Sequence, residues 1–307
     1  MPPDSLPEPV RRLVEARSRA RADRDWARAD ALRDEIASLG WEVQDSAAGS
    51  TARPILAADA GPEAPDRLDE PASVPVSVVL LAEDHADDLA RALRGLAAHP
   101  PSVAWEAVVV ANAPSYDLAA VLSDAAFASL DAVVVDAPER LGWADAATMG
   151  LTRAGGAVIV LLDTSVEPTG DVLTPLVAAF DDPTVGLAGG WGVTSADARQ
   201  FDDAPPGEVD AIEGYCLAVR REALQQVRGL DRRYRFYRNA DLDFSFAVRD
   251  AGWRAVRTDP LPARRHEHRG WTAYPDDERD RLSKRNFYRF LDRWRDRPDL
   301  LLANRSE

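Results

Sequence analysis

Polar and acidic side chains directly follow several apolar runs in this chain. Glu83 follows the run VSVVLLA, Asn112 follows EAVVVA, Asp163 follows AVIVLL, and Gly142 lies in the loop that comes after DAVVVD. If these runs are neighbouring parallel strands, their carboxyl ends meet at one edge of a sheet, which is where such sheets bind ligands. Carboxylates at that edge can also hold a cation. The loops after these runs are therefore the first candidates for a binding site.

A second group of charged residues lies in the segment ARRHEHRGW, residues 263–271. Residues two apart in a strand face the same side, so His266 and His268 are expected on one face and Arg265 and Arg269 on the other. Imidazoles bind metals, and guanidinium groups bind phosphate. The alternative is a solvated charged loop with neither function, and the residues leave both open.

The elements around these residues follow two alternating patterns. Continuous Val, Ile and Leu runs alternate with amphipathic segments such as DDLARALRGLA and DLAAVLSDAAF. Buried strands that alternate with helices predict an α/β fold, in which a mostly parallel sheet is covered by helices on both faces. We expect this domain over residues 74–275.

The terminal parts of the chain carry other patterns. Apolar residues recur at helical spacing between Val10 and Leu39 with one break, which predicts an α-helical hairpin over residues 1–45. Residues 46–73 are rich in Ala, Pro, Gly, Asp and Glu and predict a flexible linker. Residues 276–307 contain a basic amphipathic helix, which either packs on the main domain or lies on an anionic membrane.

The composition of the 307 residues limits the classes of function. A formal net charge of −15 opposes non-specific binding to nucleic acid or anionic lipid. A single cysteine, Cys216, excludes an intramolecular disulfide and a cysteine-rich zinc site. The first residues lack the apolar core of a secretory signal, and no apolar run reaches the roughly 20 residues that cross a bilayer. We therefore expect a cytoplasmic protein whose membrane contact, if present, is peripheral and at the inner face.

Four blocks, in order, resemble the family 2 glycosyltransferases, whose nucleotide-diphosphosugar-binding fold is called GT-A. They are VSVVLLAED, VVVANAPS, LGWADAATMGLTRAGGAVIVLLDTSVEP and GYCLAVRREALQQVRGLDRRYRFYRNADLDFSFAVRDAGW. The last block is similar to the acceptor segment of the rhamnosyltransferase-like members. The resemblance implies a GT-A fold and an inverting transfer of a sugar from a nucleotide-diphosphosugar donor to a hydroxyl of a carbohydrate or lipid-linked acceptor.

The resemblance also implies roles for individual residues. Asp241 matches the catalytic base, which takes the proton from the acceptor hydroxyl; the alternative, a helix N-terminal cap, is compatible with that role. Asp163 matches the metal-binding acidic motif, and His266 or His268 the histidine that contacts metal or pyrophosphate. The implied cofactor is a divalent metal, Mn²⁺ or Mg²⁺. The residues expected to contact the nucleotide sugar are Glu83, Asn112, Gly142, Asp163, Asp243, Arg265 and Arg269.

Two positions depart from the family pattern. Ser165 stands where the second Asp of the metal-binding motif is expected, and Ala111 where relatives usually carry an Asp that binds the base or ribose. Asn112 could partly replace the Asp missing at 111, and Arg264, Arg265 and Arg269 could neutralise a leaving diphosphate without a metal. The departures keep a second hypothesis open, a non-catalytic protein of the same fold that binds a sugar, a nucleotide or a partner.

The N-terminal hairpin has a resemblance of its own. RADRDWARADALRDEIASLG, residues 21–40, is similar to the C-terminal tail of cysteinyl-tRNA synthetases. The catalytic motifs of that class are missing from the sequence, so aminoacylation is not implied, although the basic residues of the hairpin would suit RNA phosphates. A hairpin used for dimerisation or solubility is preferred to an RNA-associated factor, and tRNA is not expected as a partner. The oligomeric state is not predicted.

Overall fold

The chain contains two units, and a computed structural model describes residues 7–39, 41–46, 49–54, 66–127, 130, 132–137 and 139–304. The units are Met1–Glu63 and Ala64–Glu307. Over these described ranges, no helix is both long enough and apolar enough to cross a membrane. The cytoplasmic location stays a prediction.

The N-terminal unit consists of two helices followed by a β-hairpin. Helices α1 (Glu8–Ala22) and α2 (Trp26–Ser38) are separated by a short break in which Arg24 has a φ of 57°. Strands β1 (Trp41–Ser46) and β2 (Gly49–Pro54) pair antiparallel. The predicted helical hairpin is confirmed. Its helices and strands share a small buried core of Val10, Val14, Ile36, Val43 and Ala52.

The linker predicted over residues 46–73 is too long at both ends. Strand β2 lies within its first part. In its last part, Leu68 is fully buried in the core of the second unit, and the Arg67 N–H donates to Thr152 O at 2.8 Å. Residues 55–65 lie outside the described residues. The sequence pattern did not predict the burial of Leu68, because this residue is the only apolar one within the polar stretch DRLDE.

The second unit is built on a mostly parallel sheet of eight strands. The strands of this unit are β3 (Val74–Ala82), β4 (Trp105–Ala111), β5 (Ala132–Asp136), β6 (Gly156–Leu162), β7 (Val166–Pro168), β8 (Val185–Gly189), β9 (Gly192–Thr194), β10 (Asp202–Asp203), β11 (Gly207–Val209), β12 (Ala211–Ile212), β13 (Cys216–Arg220), β14 (Arg254–Arg257) and β15 (Ala263–Arg265). The order in the large sheet is β11-β14-β8-β13-β6-β3-β4-β5. Strands β13 and β11 run antiparallel to their neighbours, and the other pairs are parallel. The predicted α/β class is confirmed.

Helices cover both faces of this sheet. They are α3 (Ala86–Ala98), α4 (Leu118–Leu122), α5 (Trp143–Arg153), α6 (Leu173–Ala178), α7 (Arg221–Val227), α8 (Ala240–Asp250), α9 (Arg269–Thr272) and α10 (Asp276–Trp294). Adjacent residues of β3 point to opposite faces, as the strand pleat requires. Leu80 joins the buried cluster that contains Leu89 of α3, whereas Val79 joins the cluster that contains Leu151 of α5. The continuous apolar run of β3 thus reflects burial on both sides.

The C-terminal helix α10 packs on the second unit. Its buried apolar residues include Leu282, Phe290 and Trp294, and Phe290 shares a cluster with Phe246 of α8. This is the packed alternative of the two that the sequence allowed.

Candidate active site

Asn112 ties together the loops that follow β3, β4 and β5. Its side chain is fully buried. Its Nδ2 donates to Glu83 Oε1 at 2.7 Å and to Leu141 O at 3.2 Å, and its Oδ1 accepts from Leu141 N at 2.7 Å. The prediction that Asn112 replaces a base-contacting Asp is therefore corrected, because both amide donors and the carbonyl oxygen have partners within the protein. Asn112 positions Glu83 and the loop that leads to α5.

Glu83 belongs to a charged group at the end of β3. Asp84 receives a bidentate ion pair from Arg140, with N···O distances of 2.8 and 2.7 Å. The same guanidinium lies 3.9 Å from Glu83 Oε1. Burial raises the pKa of the Glu83 carboxyl, although the hydrogen bond from Asn112 acts against this. The Asp163 charge raises it further, so the loops after β3 and β6 are electrostatically coupled.

Gly142 lies immediately before α5, where two loops touch. A Cβ atom at this position would lie 3.0 Å from Arg235 Cα. The next two backbone N–H groups, of Trp143 and Ala144, donate to Arg235 O and Tyr234 O at 3.0 and 3.2 Å. Close backbone approach therefore accounts for the glycine. Its predicted contact with a nucleotide sugar stays a prediction.

Asp163 lies at the carboxyl end of β6 and is held by hydrogen bonds to both oxygens. The backbone N–H and the hydroxyl of Ser165 donate to Oδ1, the former at 2.8 Å, and His268 Nε2 lies 3.2 Å from Oδ2. Burial raises the pKa of the Asp163 carboxyl, but the contacts with His268 and Ser165 outweigh burial and hold it below its usual value. Burial lowers the pKa of the His268 imidazole, but the hydrogen bond and the charge of Asp163 outweigh burial, so the pKa of His268 is raised overall. Ser165, the residue in place of the second Asp, thus orients the first.

The orientation of the His268 ring is fixed from a second side. Tyr237 stacks on it with a centroid distance of 4.4 Å and an interplanar angle of 17°. The Trp271 N–H donates to His268 O at 2.8 Å and also contacts Nδ1 at 3.1 Å. His268 therefore presents Nε2 to Asp163 from a packed position.

Asp163 and His268 are the residues that fit the implied metal. Their Oδ2 and Nε2 atoms are 3.2 Å apart, and a carboxylate oxygen and an imidazole nitrogen are donors that Mn²⁺ accepts. If Nε2 held a metal, the imidazole proton would lie on Nδ1, and the Trp271 N–H would keep its bond to His268 O. Within the described ranges, no three His, Cys, Asp or Glu side chains are grouped to hold an ion. These two residues therefore form a partial site, to be completed by phosphate or water oxygens.

Asp241 lies in the first turn of α8. Its Oδ2 accepts from Gly214 N at 2.8 Å and its Oδ1 from Leu242 N at 2.9 Å. The residue before the helix is Asn239, which makes no side-chain cap hydrogen bond. Burial raises the pKa of the Asp241 carboxyl, while the two backbone N–H groups act in the opposite direction. A buried carboxyl with a raised pKa is suited to accept a proton.

Asp163, His268 and Asp241 line one cavity of about 420 Å³. Its other walls come from the segments around β9–β10, β12–β13 and α8, and from α10. These walls include Arg199, Phe201, Glu213, Tyr215, Tyr237, Arg238, Lys284 and Phe287. The structure thus brings together three predicted residues that lie far apart in the sequence.

The alternation predicted for the segment ARRHEHRGW does not occur, because β15 ends at Arg265. His266 Nε2 lies 2.7 Å from Glu167 Oε2 and does not line the cavity with His268. The Arg265 guanidinium lies over the Tyr215 ring, 4.7 Å from its centroid, on a residue that does line the cavity. His266 is therefore not a metal ligand in this arrangement, and Arg265 supports the cavity wall.

Two further predicted donor contacts are directed elsewhere. Arg269 Nε donates to Asp88 at 2.7 Å, and the same guanidinium binds Asp87, so the side chain holds α9 against the start of α3. Asp243 Oδ1 accepts from Trp294 Nε1 and Oδ2 from Arg293 Nη1, each at 2.8 Å. These contacts join α8 to α10. Neither residue lines the cavity.

Glu213 is a site residue that the sequence patterns did not identify. It directly precedes the apolar block GYCLAV and lines the cavity beside Asp241. Burial raises the pKa of the Glu213 carboxyl, and the charge of Asp241 raises it further. Its position was the one available signal, because Glu213 directly follows the short buried strand β12 and precedes Gly214.

Two sequence profiles match different parts of the chain. Residues 77–261 match the family described as "Glycosyl transferase family 2". Residues 4–53 match the "Cysteinyl-tRNA ligase anticodon binding domain". In that segment the chain is 59% identical over 44 residues to the cysteine–tRNA ligase of Nitratidesulfovibrio vulgaris and 52% identical over 50 residues to that of Micrococcus luteus. These alignments cover 14% and 16% of the chain but only 9% and 10% of the ligases.

Solved structures share the fold. One is the mannosyltransferase PcManGT from Pyrobaculum calidifontis in complex with GDP-Man and Mn²⁺, with a TM-score of 0.50, 22% identity, and coverage of 62% of this chain and 59% of the other. Another is GalNAc-T7 with UDP, GalNAc and Mn²⁺, with a TM-score of 0.58, 16% identity, and coverage of 74% and 50%. The matches span 59% and 50% of those chains, and at this identity they show the fold.

Proposed function

The chain belongs to glycosyl transferase family 2, and we propose that it transfers a sugar from a nucleotide-diphosphosugar donor to an acceptor hydroxyl with inversion. The observation that carries this proposal is the convergence of Asp163, His268 and Asp241 on one cavity. The cavity lies where the loop after β6 meets the start of α8. Asp163 and His268, which can act on the phosphate charge, and Asp241, which can accept a proton, therefore line the same cavity.

Asp241 supplies the base. Its carboxylate takes the proton of the acceptor hydroxyl while the hydroxyl oxygen attacks the anomeric carbon and the nucleoside diphosphate leaves. A single displacement of this kind inverts the anomeric configuration. Gly214 N and Leu242 N hold the carboxylate oxygens in place. Burial, which raises the pKa of Asp241, makes the carboxylate a stronger base than an exposed one.

Asp163 and His268 lie where the donor diphosphate is expected. When Mn²⁺ or Mg²⁺ is bound by these two residues, it supplies positive charge to the leaving diphosphate. Ser165 and Tyr237 orient this pair through the hydrogen bonds to Asp163 and the stacking on His268. Two relatives of the same fold were solved with Mn²⁺, which supports the inclusion of a metal.

A donor-binding experiment tests the proposal. Thermal unfolding is followed with UDP-, GDP- and dTDP-sugars, each with and without Mn²⁺, for the wild type and for Asp163→Asn. We expect at least one donor to raise the melting temperature of the wild type, and a smaller rise for the variant. A panel in which no nucleotide sugar stabilises the wild type refutes the enzymatic proposal and favours the non-catalytic hypothesis.

The match of residues 4–53 supports a second candidate function, contact with tRNA by the N-terminal unit. Arg12 and Arg19 are exposed on α1 and could meet phosphates. A gel shift of the full chain with tRNA at low salt compares the wild type with the double variant Arg12→Glu, Arg19→Glu. Equal binding by both proteins, or none by the wild type, removes this candidate.

A further inference from the structure

Three cationic side chains from separate parts of the sequence line the cavity. Arg199 comes from the loop between β9 and β10, Arg238 from the segment before α8, and Lys284 from α10. Across the described residues, the Arg199 guanidinium and the Lys284 ammonium have no hydrogen-bond or ion-pair partner, although the charge of Arg199 contributes to the lowered pKa of the Asp197 carboxyl. Arg238 lies over the Trp271 ring, 5.7 Å from its centroid, and makes no ion pair with a described carboxylate.

The lack of partners is notable because this chain carries 52 acidic and only 37 basic residues other than histidine. Several cations elsewhere in the second unit are paired with carboxylates, as in the contacts of Arg140 with Asp84 and of Arg269 with Asp88, and others, such as Arg221, donate to backbone carbonyl oxygens. The cavity is also lined by Asp203, Glu213 and Asp241, but Arg199 and Lys284 form no ion pair with these carboxylates, so the two cations are available to an anionic ligand.

The surface next to these cations is apolar and well packed. Phe201 makes edge-to-face contacts with Phe246 of α8 and Phe290 of α10, at centroid distances of 6.1 and 5.7 Å. Leu242 and Phe287 pack on the same cluster and also line the cavity. Since Leu242 directly follows Asp241, this wall adjoins the proposed base. Apolar rings of this kind suit the C–H face of a sugar.

The loop that carries Arg199 is fixed by its own hydrogen bonds. The Ser195 N–H donates to the fully buried Asp210 at 2.8 Å, and the Ser195 hydroxyl donates to Gln200 O. The backbone N–H groups of Arg199 and Gln200 donate to Asp197 Oδ1 at 2.8 and 3.2 Å. The position of the Arg199 backbone is therefore set without a ligand.

Lys284 is the only lysine in the sequence, and every other cationic residue apart from histidine is arginine. It lies on α10, outside the residues 77–261 that match the family. A determinant that lies outside the family segment can distinguish this chain from its relatives.

We propose that Arg199, Lys284, Phe201 and Phe287 form an acceptor subsite for a sugar that carries an anionic group, either a carboxylate or a phosphate. The cations bind the anionic group, and the aromatic side chains contact the sugar ring beside Asp241. This proposal rests on the proposed transferase function, because it places the anionic sugar as the acceptor. Binding at the subsite does not itself require turnover.

The single lysine allows the subsite to be observed directly. Reductive methylation with ¹³C-formaldehyde keeps the positive charge and labels only Lys284 and the α-amino group, which serves as the internal reference. The labelled full chain is titrated by ¹H–¹³C NMR with methyl β-D-glucuronide, with glucose 6-phosphate and with neutral methyl β-D-glucoside, at constant ionic strength. We expect the Lys284 signal to shift to saturation with one or both anionic sugars and not with the neutral one. The two anionic arms distinguish carboxylate from phosphate.

Variants give an independent check by calorimetry on unlabelled protein. Lys284→Gln is expected to weaken binding of the anionic sugar about ten-fold or more, as for loss of one charged hydrogen bond. Lys284→Arg, which keeps the charge, is expected to retain most of the affinity. Arg295→Gln, which removes a charge just beyond α10, serves as the matched control and leaves binding unchanged.

Three results overturn the proposal. They are an equal NMR shift with the neutral sugar, no saturable shift with either anionic sugar, and a loss of donor affinity instead of anionic-sugar affinity in Lys284→Gln. The last result assigns Lys284 to the donor diphosphate. The donor-binding panel with Asp163→Asn is a separate measurement, so a failure of the transferase function is distinguished from a failure of the subsite.

Discussion

Replacement of Asp243 by Asn is expected to destabilise the protein without weakening donor binding. Asp243 is 1% exposed and accepts hydrogen bonds from Arg293 and from the indole of Trp294, which is 3% exposed. It therefore joins α8 to α10. If Asp243 instead contacts the donor, as the sequence suggested, the substitution weakens donor binding and leaves stability unchanged.

The magnitude follows from the two hydrogen bonds. Asn has one carbonyl oxygen, which accepts the hydrogen bond from the buried indole N–H of Trp294. The amide N–H₂ of Asn then faces Arg293 and cannot accept its hydrogen bond. Loss of one hydrogen bond to a charged group costs about 1.5–3 kcal/mol of the free energy of unfolding. For a unit of this size, that cost lowers the melting temperature by about 3–12 °C. Asp243→Ala also leaves the indole N–H unpaired and is expected to cost about 3–5 kcal/mol.

Scanning calorimetry of the full chain measures the melting temperature of the second unit, with and without the nucleotide sugar that stabilises the wild type. Asp250→Asn is the matched control, because Asp250 lies on the same helix in an exposed ion pair with Arg297 and is expected to change stability by less than about 1 kcal/mol. An unchanged melting temperature in Asp243→Asn, accompanied by loss of the donor-induced shift, refutes the structural role.

Three further predictions concern the site and the core. Burial raises the pKa of Asp241 above 3.8, so transfer should fall at acidic pH as Asp241 is protonated. Glu213 adds a like charge nearby, so Glu213→Gln should move this acidic limb of the kcat/KM profile to lower pH. An acidic limb that does not move contradicts the coupling between the two carboxylates. Gly142→Ala places a Cβ 3.0 Å from Arg235 Cα and should cost about 1–3 kcal/mol in urea unfolding, so a change below about 0.5 kcal/mol contradicts the close packing. Burial raises the pKa of Cys216 to about 12, so a disulfide reagent should react with it only after unfolding, and rapid reaction of the native protein contradicts its burial.

Sequence patterns predicted the fold where local and global preferences agree. The run Val108–Val110 is buried in the structure, as continuous β-branched residues between helical segments predict for a strand covered on both faces. The pattern failed for Leu68, whose burial depends on a contact far along the chain. Arg221 Nη1 donates to Leu68 O at 3.1 Å across 153 positions, and no window of local composition contains that information.

The site residues divide in the same way. Asp163 and Asp241 lie at the end of a strand and at the start of a helix, and such positions can be read from local sequence. His266, Arg269 and Asp243 are polar residues at plausible spacings, but their directions depend on where β15 ends and on partners in distant elements. Periodicity cannot supply those directions, because one residue of difference in the end of a strand reverses which face a side chain takes.

The proposed role of Asp241 as the base is tested by release of nucleoside diphosphate from a nucleotide sugar, with water or an acceptor as the attacking group. The wild type is compared with Asp241→Asn at equal donor saturation, and the anomeric configuration of the product is read by NMR. We expect release by the wild type with inversion, and a loss of about 100-fold or more in Asp241→Asn because a general base is removed. Release at the wild-type rate by Asp241→Asn, or retention of configuration, contradicts this role.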